Sequence, residues 1–324
     1  MQTMRQRVLV GSLLVVVAWA APSPAPAQSW PQRPVKFILP LGPGSGADIG
    51  ARLLADRLTA RWGQSVVVEN RPGADGIVAI SAFVNARDDH ALLFGPSSSF
   101  VGHPYLHDKV PYDQRDLSPI ARVSNTLVSI AVPPSLNIGS LAELFTHARA
   151  QPGKLNWTTI TGVTDIILAG YLKRAGIDMA KVPYRDPVQA LNDLAEARIH
   201  FYIAALAIVQ AQMQAGRIKV IAVTNRTRAS AAPQIPTVSE AGFPELAFDG
   251  LVGLFGPPDM PGQLRERIAS DFRVALSEPA VAERLTATGQ AVAPGSPAEF
   301  AAAIAEQRAQ LAASAQTLGI TPKH

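Results

Sequence analysis

The stretch Val35–Asp48, read Val-Lys-Phe-Ile-Leu-Pro-Leu-Gly-Pro-Gly-Ser-Gly-Ala-Asp, constrains the chain more than any other. Val35–Leu39 is a short apolar, β-rich run and predicts a buried strand. Pro40 follows, then Gly42, Gly44 and Gly46 at alternate positions. Beyond them Ile49, Leu53, Leu54 and Leu58 recur at helical spacing. The segment therefore reads as strand, glycine turn, helix. Glycines let the backbone turn sharply and let an anion approach bare N–H groups. A helix start adds unpaired N–H groups and the positive end of a dipole. Together they supply a slot for a small anion, most simply a carboxylate. A tight turn with no ligand is the competing reading.

The same grammar repeats downstream. Ser65–Glu69 reads as a second buried strand, Asn70–Gly73 as a turn and Asp75–Ala86 as a helix. Ala91–Phe94 reads as a third strand that runs into Ser97, Ser98 and Ser99. Alternating strands and helices at this spacing mean βαβ units and a parallel sheet. Right-handed crossovers place the loops after successive strands on one rim, where ligands of such sheets sit. Leu127–Val132, ending at Pro133-Pro134, reads as a crossing into a second unit. There Leu155–Thr159, Lys181–Tyr184, Ile199–Ile203 and Val220–Val223 are expected strands. Leu141–Arg149, Ile166–Ala175, Val188–Glu196 and Ala207–Gln214 are expected helices. Phe248–Phe255 reads as a returning strand, and the remainder as helices Gly262–Ser277, Ala280–Thr288 and Pro297–Leu318 broken at Gly289 and Gly295.

Several chemistries find no support. Hydrophobic content of 48% and charged content of 17% suit a globular chain. Formal net charge is +4, of which two arginines of the leader supply half, and no long Lys/Arg run argues for nucleic acid. No Gly-Lys-Ser/Thr follows the glycines, and no Gly-x-Ser-x-Gly elbow is present. Gly44, Gly46 and Gly50 imitate a dinucleotide fingerprint, with Glu69 where a ribose partner would stand. The six histidines are scattered, with no acid at metal-ligand spacing, and read as solvated loop residues. Arg5 and Arg7, the apolar run Val8–Ala20 and the small-x-small site Ala25-Pro26-Ala27 form a secretory leader. Residues 1–27 are thus an expected signal peptide, and the absence of cysteine excludes both disulfides and lipid attachment through a leader cysteine.

Ordered blocks along nearly the whole mature chain carry a resemblance. They are Trp30-Pro31-x-x-Pro34-Val35, Pro40–Asp48, Gly63-Gln64-x-Val66-Val67-Val68-Glu69-Asn70-Arg71-Pro72-Gly73-Ala74, Val182-Pro183-Tyr184, Ala222-Val223-Thr224 and Pro236-Thr237-Val238-x-Glu240-Ala241-Gly242. The chain resembles the periplasmic solute receptors of tripartite tricarboxylate transporters, the Bug proteins. The resemblance implies an α/β, two-domain Venus flytrap, each domain a mainly parallel sheet flanked by helices with the ligand cleft between. Residues 28–125 plus 249–324 would form one domain and 126–248 the other. It implies a monomeric periplasmic receptor rather than an enzyme, without cofactor or metal. That receptor would bind a mono- or dicarboxylate, aromatic or not, and hand it to the membrane components of a transporter or to a sensor kinase. An exported enzyme acting on a small carboxylate and a dinucleotide-binding oxidoreductase are the alternatives.

Carried onto this sequence, the first rim loop assigns Leu41, Gly42, Pro43, Gly44, Ser45, Gly46, Ala47 and Asp48 to the ligand. The second loop assigns Thr159, Thr161, Gly162, Thr164 and Asp165. Ser97, Ser98, Ser99, Tyr184 and Ala204 complete the expected set. Asp48 and Asp165 have a second reading as charges on the first turn of a helix, where an acid is stabilising. The second loop departs from the family pattern: Thr161 and Val163 stand for glycines, Ile167 for a histidine, and Arg185-Asp186-Pro187 for Lys-Gly-Gly. Ala204 or Ala205 stands where an acid is frequent. N-terminal sequencing of exported protein is expected to begin near Gln28; intact Met1 recovered from membranes would overturn the cleaved leader.

Overall fold

The computed structural model describes residues 30–184 and 186–323. The expected leader lies outside the described residues. The first unit contains β1 (Val35–Leu39), α1 (Gly46–Trp62), β2 (Val66–Asn70), α2 (Ile77–Ala86) and β3 (Ala91–Pro96). Two single-turn helices, α3 (Ser98–Val101) and α4 (His103–Leu106), precede β4 (Ser118–Thr126). The second unit comprises β5 (Val128–Val132), α5 (Leu141–Ala150), β6 (Asn156–Thr159), α6 (Gly162–Arg174), β7 (Ala180–Lys181), α7 (Pro187–Ala195), β8 (Phe201–Ala205), α8 (Leu206–Gln214) and β9 (Lys219–Val223). The chain returns through β10 (Gly250–Gly256), α9 (Gly262–Leu276), α10 (Pro279–Ala287), β11 (Gln290–Gly295) and α11 (Pro297–Leu318).

Two sheets result, ordered β11-β4-β10-β3-β1-β2 and β7-β6-β8-β5-β9. The two-domain α/β architecture is the expected one. The sheets are mixed, however, and not mainly parallel. β1 pairs in parallel with β2 and β3, while β10 and β11 join antiparallel to β3 or β4. In the second sheet β5 is antiparallel to both neighbours. The strands that run against the βαβ direction are β10 and β11 in the first sheet and β5 in the second; β4, antiparallel to both β10 and β11, keeps the direction of β1–β3.

Other differences are local. β4 and β11 have no counterpart among the expected strands. β2 is an edge strand with half-exposed residues rather than a buried one; Val67 is 50% exposed. Expected strand Lys181–Tyr184 contracts to a two-residue pairing at Ala180–Lys181. His90 and His103 are buried, not solvated, and His103 sits in a helical turn despite Pro104. A proline within the first turn lacks only an N–H that the helix would not use.

α1 forms where the sequence places it. Ser45 caps it, accepting from Asp48 N at 3.2 Å, and Gly63 ends it in the left-handed region at φ 67°. Its inner face, Ala47, Ala51, Leu54 and Leu58, is buried, and the helix packs against β2, α9 and α10. The chain passes between the units near Thr126–Val128 and Phe248–Gly250, and Asn225 pins both passages. Its Oδ1 accepts from Val128 N (2.8 Å), and its amide donates to Thr126 O (3.0 Å) and reaches Asp249 Oδ1 (3.4 Å).

Helix α11 touches both units. Ser296 and Glu299 cap its start reciprocally. Phe300 packs on Phe255 of β10 with ring centroids 5.0 Å apart. Further along, α11 crosses α6 so closely that a Cβ on Gly170 would lie 2.9 Å from Ser314 Cβ and 3.0 Å from its carbonyl oxygen. One continuous buried apolar cluster therefore runs from α2 and β3 through α11 and α6 to α5 and Trp157. Gly170→Val is expected to destabilise the protein by about 1–3 kcal/mol through overpacking. Thermal unfolding checks this, and an unchanged melting temperature would mean that the two helices do not cross in contact.

Candidate functional site

The loops after β1, β3, β6 and β8 border one cavity of about 580 Å³. A larger depression of about 830 Å³, bordered by Arg33, Asp88, Asp89 and Pro257–Pro261, lies at the other end of the first sheet, where β1 and β3 begin. Ligands of parallel strands bind beyond their carboxyl ends, so the 580 Å³ cavity is the candidate. Of the expected residues, Leu41, Gly44, Ser45, Gly46, Ala47, Ser98, Ser99, Thr161, Gly162 and Thr164 line it.

The first-unit wall is rich in unengaged donors. The N–H groups of Gly46 and Ala47, in the first turn of α1, meet no protein acceptor among the described residues. The Ser45 hydroxyl accepts from Asp48 N and keeps its own proton free, and the hydroxyls of Ser98 and Ser99 have no partner among the described residues. Gly44 N–H is not free. It donates to Asp48 Oδ2 at 2.8 Å, so the slot is narrower than the three glycines suggest. The glycines also divide by role. Gly44 needs its φ of +84°, whereas a Cβ on Gly46 would meet Gln290 Nε2 at 2.8 Å and Thr288 O at 3.1 Å. Gly42 has neither constraint and, like Pro43, is not in the lining.

Asp48 does not face the cavity. Its side chain is 3% exposed and holds Gly44 N, Arg52 (3.1 Å from Nε) and Asn70 Nδ2 (2.8 Å). Burial alone would raise its pKa, but these donors outweigh burial and hold the carboxyl below its ordinary range. Ser97 is buried and donates to Gln307 Oε1 at 2.6 Å. Ala204 is buried within β8, its carbonyl accepting from Ser129 at 3.0 Å. Tyr184 donates to Asp193 at 2.7 Å, and desolvation together with that carboxylate pushes its hydroxyl up to about 12. Thr159 and Asp165 are bonded to each other at 2.7 Å, and Asp165 also holds Lys181 at 2.5 Å. None of these six lines the cavity.

The imitation dinucleotide fingerprint has structural explanations. A Cβ on Gly50 would lie 2.9 Å from Leu285, and Glu69 is held by Lys36 at 2.8 Å and by Arg71. The cavity also contains residues that sequence reasoning missed: Asp75, His103, Leu106, Thr126, Phe248 and Gln290. Burial depresses the His103 pKa; its Nε2 faces Asp75 O at 3.2 Å and its Nδ1 faces the Tyr112 hydroxyl. The buried Gln290 amide donates to Thr126 Oγ1 (3.1 Å) and accepts from Ser124 (3.0 Å), fixing β11 beside the passage between units. The His103–His107 i, i+4 spacing is visible in sequence; nothing there signals Gln290.

Two α/β lobes with a cavity between loops at strand ends, one wall carrying free N–H and hydroxyl donors, define a solute-binding receptor. The model of the tripartite tricarboxylate transporter family receptor matches residues 50–320, and the chain belongs to that family. A similar curated relative is a UPF0065 protein of Bordetella bronchiseptica, 30% identical over 95% of this chain and 92% of the relative. Among solved structures, a periplasmic transporter is 28% identical with a TM-score of 0.75, covering 90% of this chain and 99% of its own. R. palustris Rpa4515, solved with adipate, is 26% identical with a TM-score of 0.75, covering 91% of this chain and 100% of its own.

Asp48→Ala strips three donors of their acceptor and should cost about 1.5–3 kcal/mol of stability at neutral pH. The folded-state pKa of Asp48 lies below the unfolded value, so its contribution is complete above the unfolded value and is lost as pH falls through the folded one. The gap in melting temperature between wild type and Asp48→Ala should therefore shrink below about pH 4. A pH-independent gap would mean that the charge of Asp48 does not contribute.

Proposed function

We propose that this protein is a periplasmic receptor that holds a small organic carboxylate in the 580 Å³ cavity and presents it to the membrane components of a tripartite tricarboxylate transporter. The observation that carries this reading is the wall of unengaged donors at Ser45, Gly46, Ala47, Ser98 and Ser99, all on one side of the cavity. A carboxylate accepts several hydrogen bonds and favours the positive end of α1. The adipate in Rpa4515 supports the chemical class. Export rests on the leader read at residues 1–27 and on family membership.

Calorimetry with a panel of small carboxylates tests the proposal. Ala47→Pro removes one N–H at a helix position where proline is tolerated. Hydrogen bonds to charged groups contribute about 1.5–3 kcal/mol, so this variant should bind roughly tenfold to 150-fold more weakly while remaining folded. Unchanged affinity in a folded Ala47→Pro protein would remove the start of α1 from the site.

A further inference from the structure

We propose that the cavity selects monocarboxylates bearing an apolar alkyl or aryl body over dicarboxylates, and that Leu106 is the residue that excludes a second carboxylate. The inference rests on the reading of the cavity as a carboxylate site and asks what its other wall accepts.

That wall is the first turn of α6, which begins as α1 does, with N–H groups at Gly162 and Val163 that meet no protein acceptor among the described residues. A second carboxylate would belong there. Leu106 of the opposite lobe occupies the approach: a Cβ on Gly162 would lie 2.5 Å from Leu106 Cδ1 and 2.8 Å from Cδ2. Val163 is covered as well, since its Cγ2 would lie 2.7 Å from a Cβ on Gly102. Hydrocarbon from the opposite lobe thus packs directly against Gly162, and the Val163 side chain against Gly102, at the start of α6.

The hydroxyls of this wall are also engaged. Thr159 gives its one proton to Asp165 Oδ1 at 2.7 Å. Thr164 gives its proton to Thr159 Oγ1 or to Thr161 O, each at 2.8 Å. Thr161 faces Thr164 Oγ1 at 3.0 Å and accepts from Thr164 N. A hydroxyl has a single proton to donate, so Thr159 and Thr164 offer none to a ligand without breaking this circuit, and Thr161 has the Thr164 hydroxyl as a partner within reach where Ser45 has none among the described residues. The Ser45, Ser98 and Ser99 hydroxyls across the cavity are unengaged, and the asymmetry follows.

Charge points the same way. No Lys or Arg is among the described lining residues, and the charged side chain present, Asp75, is negative and 72% exposed. His103 is buried, which lowers its pKa, and both ring nitrogens are committed to the Tyr112 hydroxyl and Asp75 O. A second carboxylate at the start of α6 would meet hydrocarbon and no Lys or Arg among the described lining residues, and an ion removed from water without partners is strongly disfavoured. A hydrocarbon body instead meets Leu106, Val128, Ile160, Ile208 and Phe248.

Calorimetry at pH 7 on the mature protein compares hexanoate with adipate and benzoate with terephthalate. Each monoacid is expected to bind at least tenfold tighter than its diacid. Affinity should rise about threefold to fourfold per methylene from butanoate to hexanoate, as burial of each group requires. Leu106→Ala should weaken hexanoate and strengthen adipate, narrowing their ratio at least fivefold, whereas Leu106→Met should preserve the ratio; melting curves confirm that both are folded. Diacids binding as tightly as monoacids in the unmutated protein would overturn the proposal while leaving the carboxylate reading intact. An unchanged ratio in folded Leu106→Ala would overturn the role of Leu106. Failure of all four probes to bind would overturn the carboxylate reading, and this inference with it.

Discussion

The buried carboxylate of Asp48 shapes the site more than any residue that touches the cavity. It ties together three segments: the backbone of Gly44 in the turn, the side chain of Arg52 one helical turn on, and the side chain of Asn70 at the end of β2. Asn70 in turn donates to Leu41 O at 2.9 Å, closing the loop onto the sheet. With these bonds made, Gly44 is held at positive φ and the N–H groups of Gly46 and Ala47 are left without protein partners among the described residues. A charged side chain thereby sets the donor-lined turn at the start of α1 without entering the cavity. Its own charge is neutralised by Arg52 at 3.0 Å, so it does not oppose an anion at the mouth of the helix.

The second constraint is α11. A two-lobed receptor is free to open only as far as contacts outside the cleft allow. Here Gln307 bridges Ser97 of the first lobe and Asp249 O at a passage between lobes, and Gln310 donates to Ala247 O at 2.8 Å. The close crossing at Gly170 and Ser314 continues the core of one lobe into the other. Lobe movement of the kind seen in hinge and shear closure would act on the α11 contacts and on the Asn225 passages together.

Much of this is legible in the sequence. The β1–α1 turn combines a strand, glycines and a helix stripe, signals that agree across levels, and its bounds follow. The position of the turn between β1 and α1 is legible; the engagement of Gly44 N–H is not, because no periodicity reveals that Asp48 reaches back to it. β4 and β11 are hidden for a different reason. Ser118–Thr126 carries serines, an arginine and an asparagine among its apolar residues, and Gln290–Gly295 holds Pro294. Such a strand is stabilised by its neighbours rather than by its own pattern, and proline is tolerated at the sheet edge that β11 occupies. Ser97 belongs to the expected ligand set because it follows a strand, and Tyr184 because it closes the Val182-Pro183-Tyr184 block of the resemblance. The direction in which each side chain turns, toward Gln307 and Asp193, depends on partners distant in sequence or around a loop.

The departures in the second rim loop gain meaning as a set. Thr161 occupies an extended conformation, φ −139° and ψ 149°, that needs no glycine, and it caps α6 through its hydroxyl. Val163 adds a branched side chain where the family pattern has glycine, and the room for it comes from the other lobe: it packs where a Cβ on Gly102 would otherwise stand. Leu106 makes the same exchange with Gly162. Each large residue on one lobe faces a glycine on the other, so the lobes interlock through hydrocarbon beside the cavity instead of leaving both helix starts open to it. The bulk of Val163 and of Leu106 thus meets glycine across the two walls, at Gly102 and Gly162. Only the folded chain, which brings 102–106 against 162–163, shows that the two belong together.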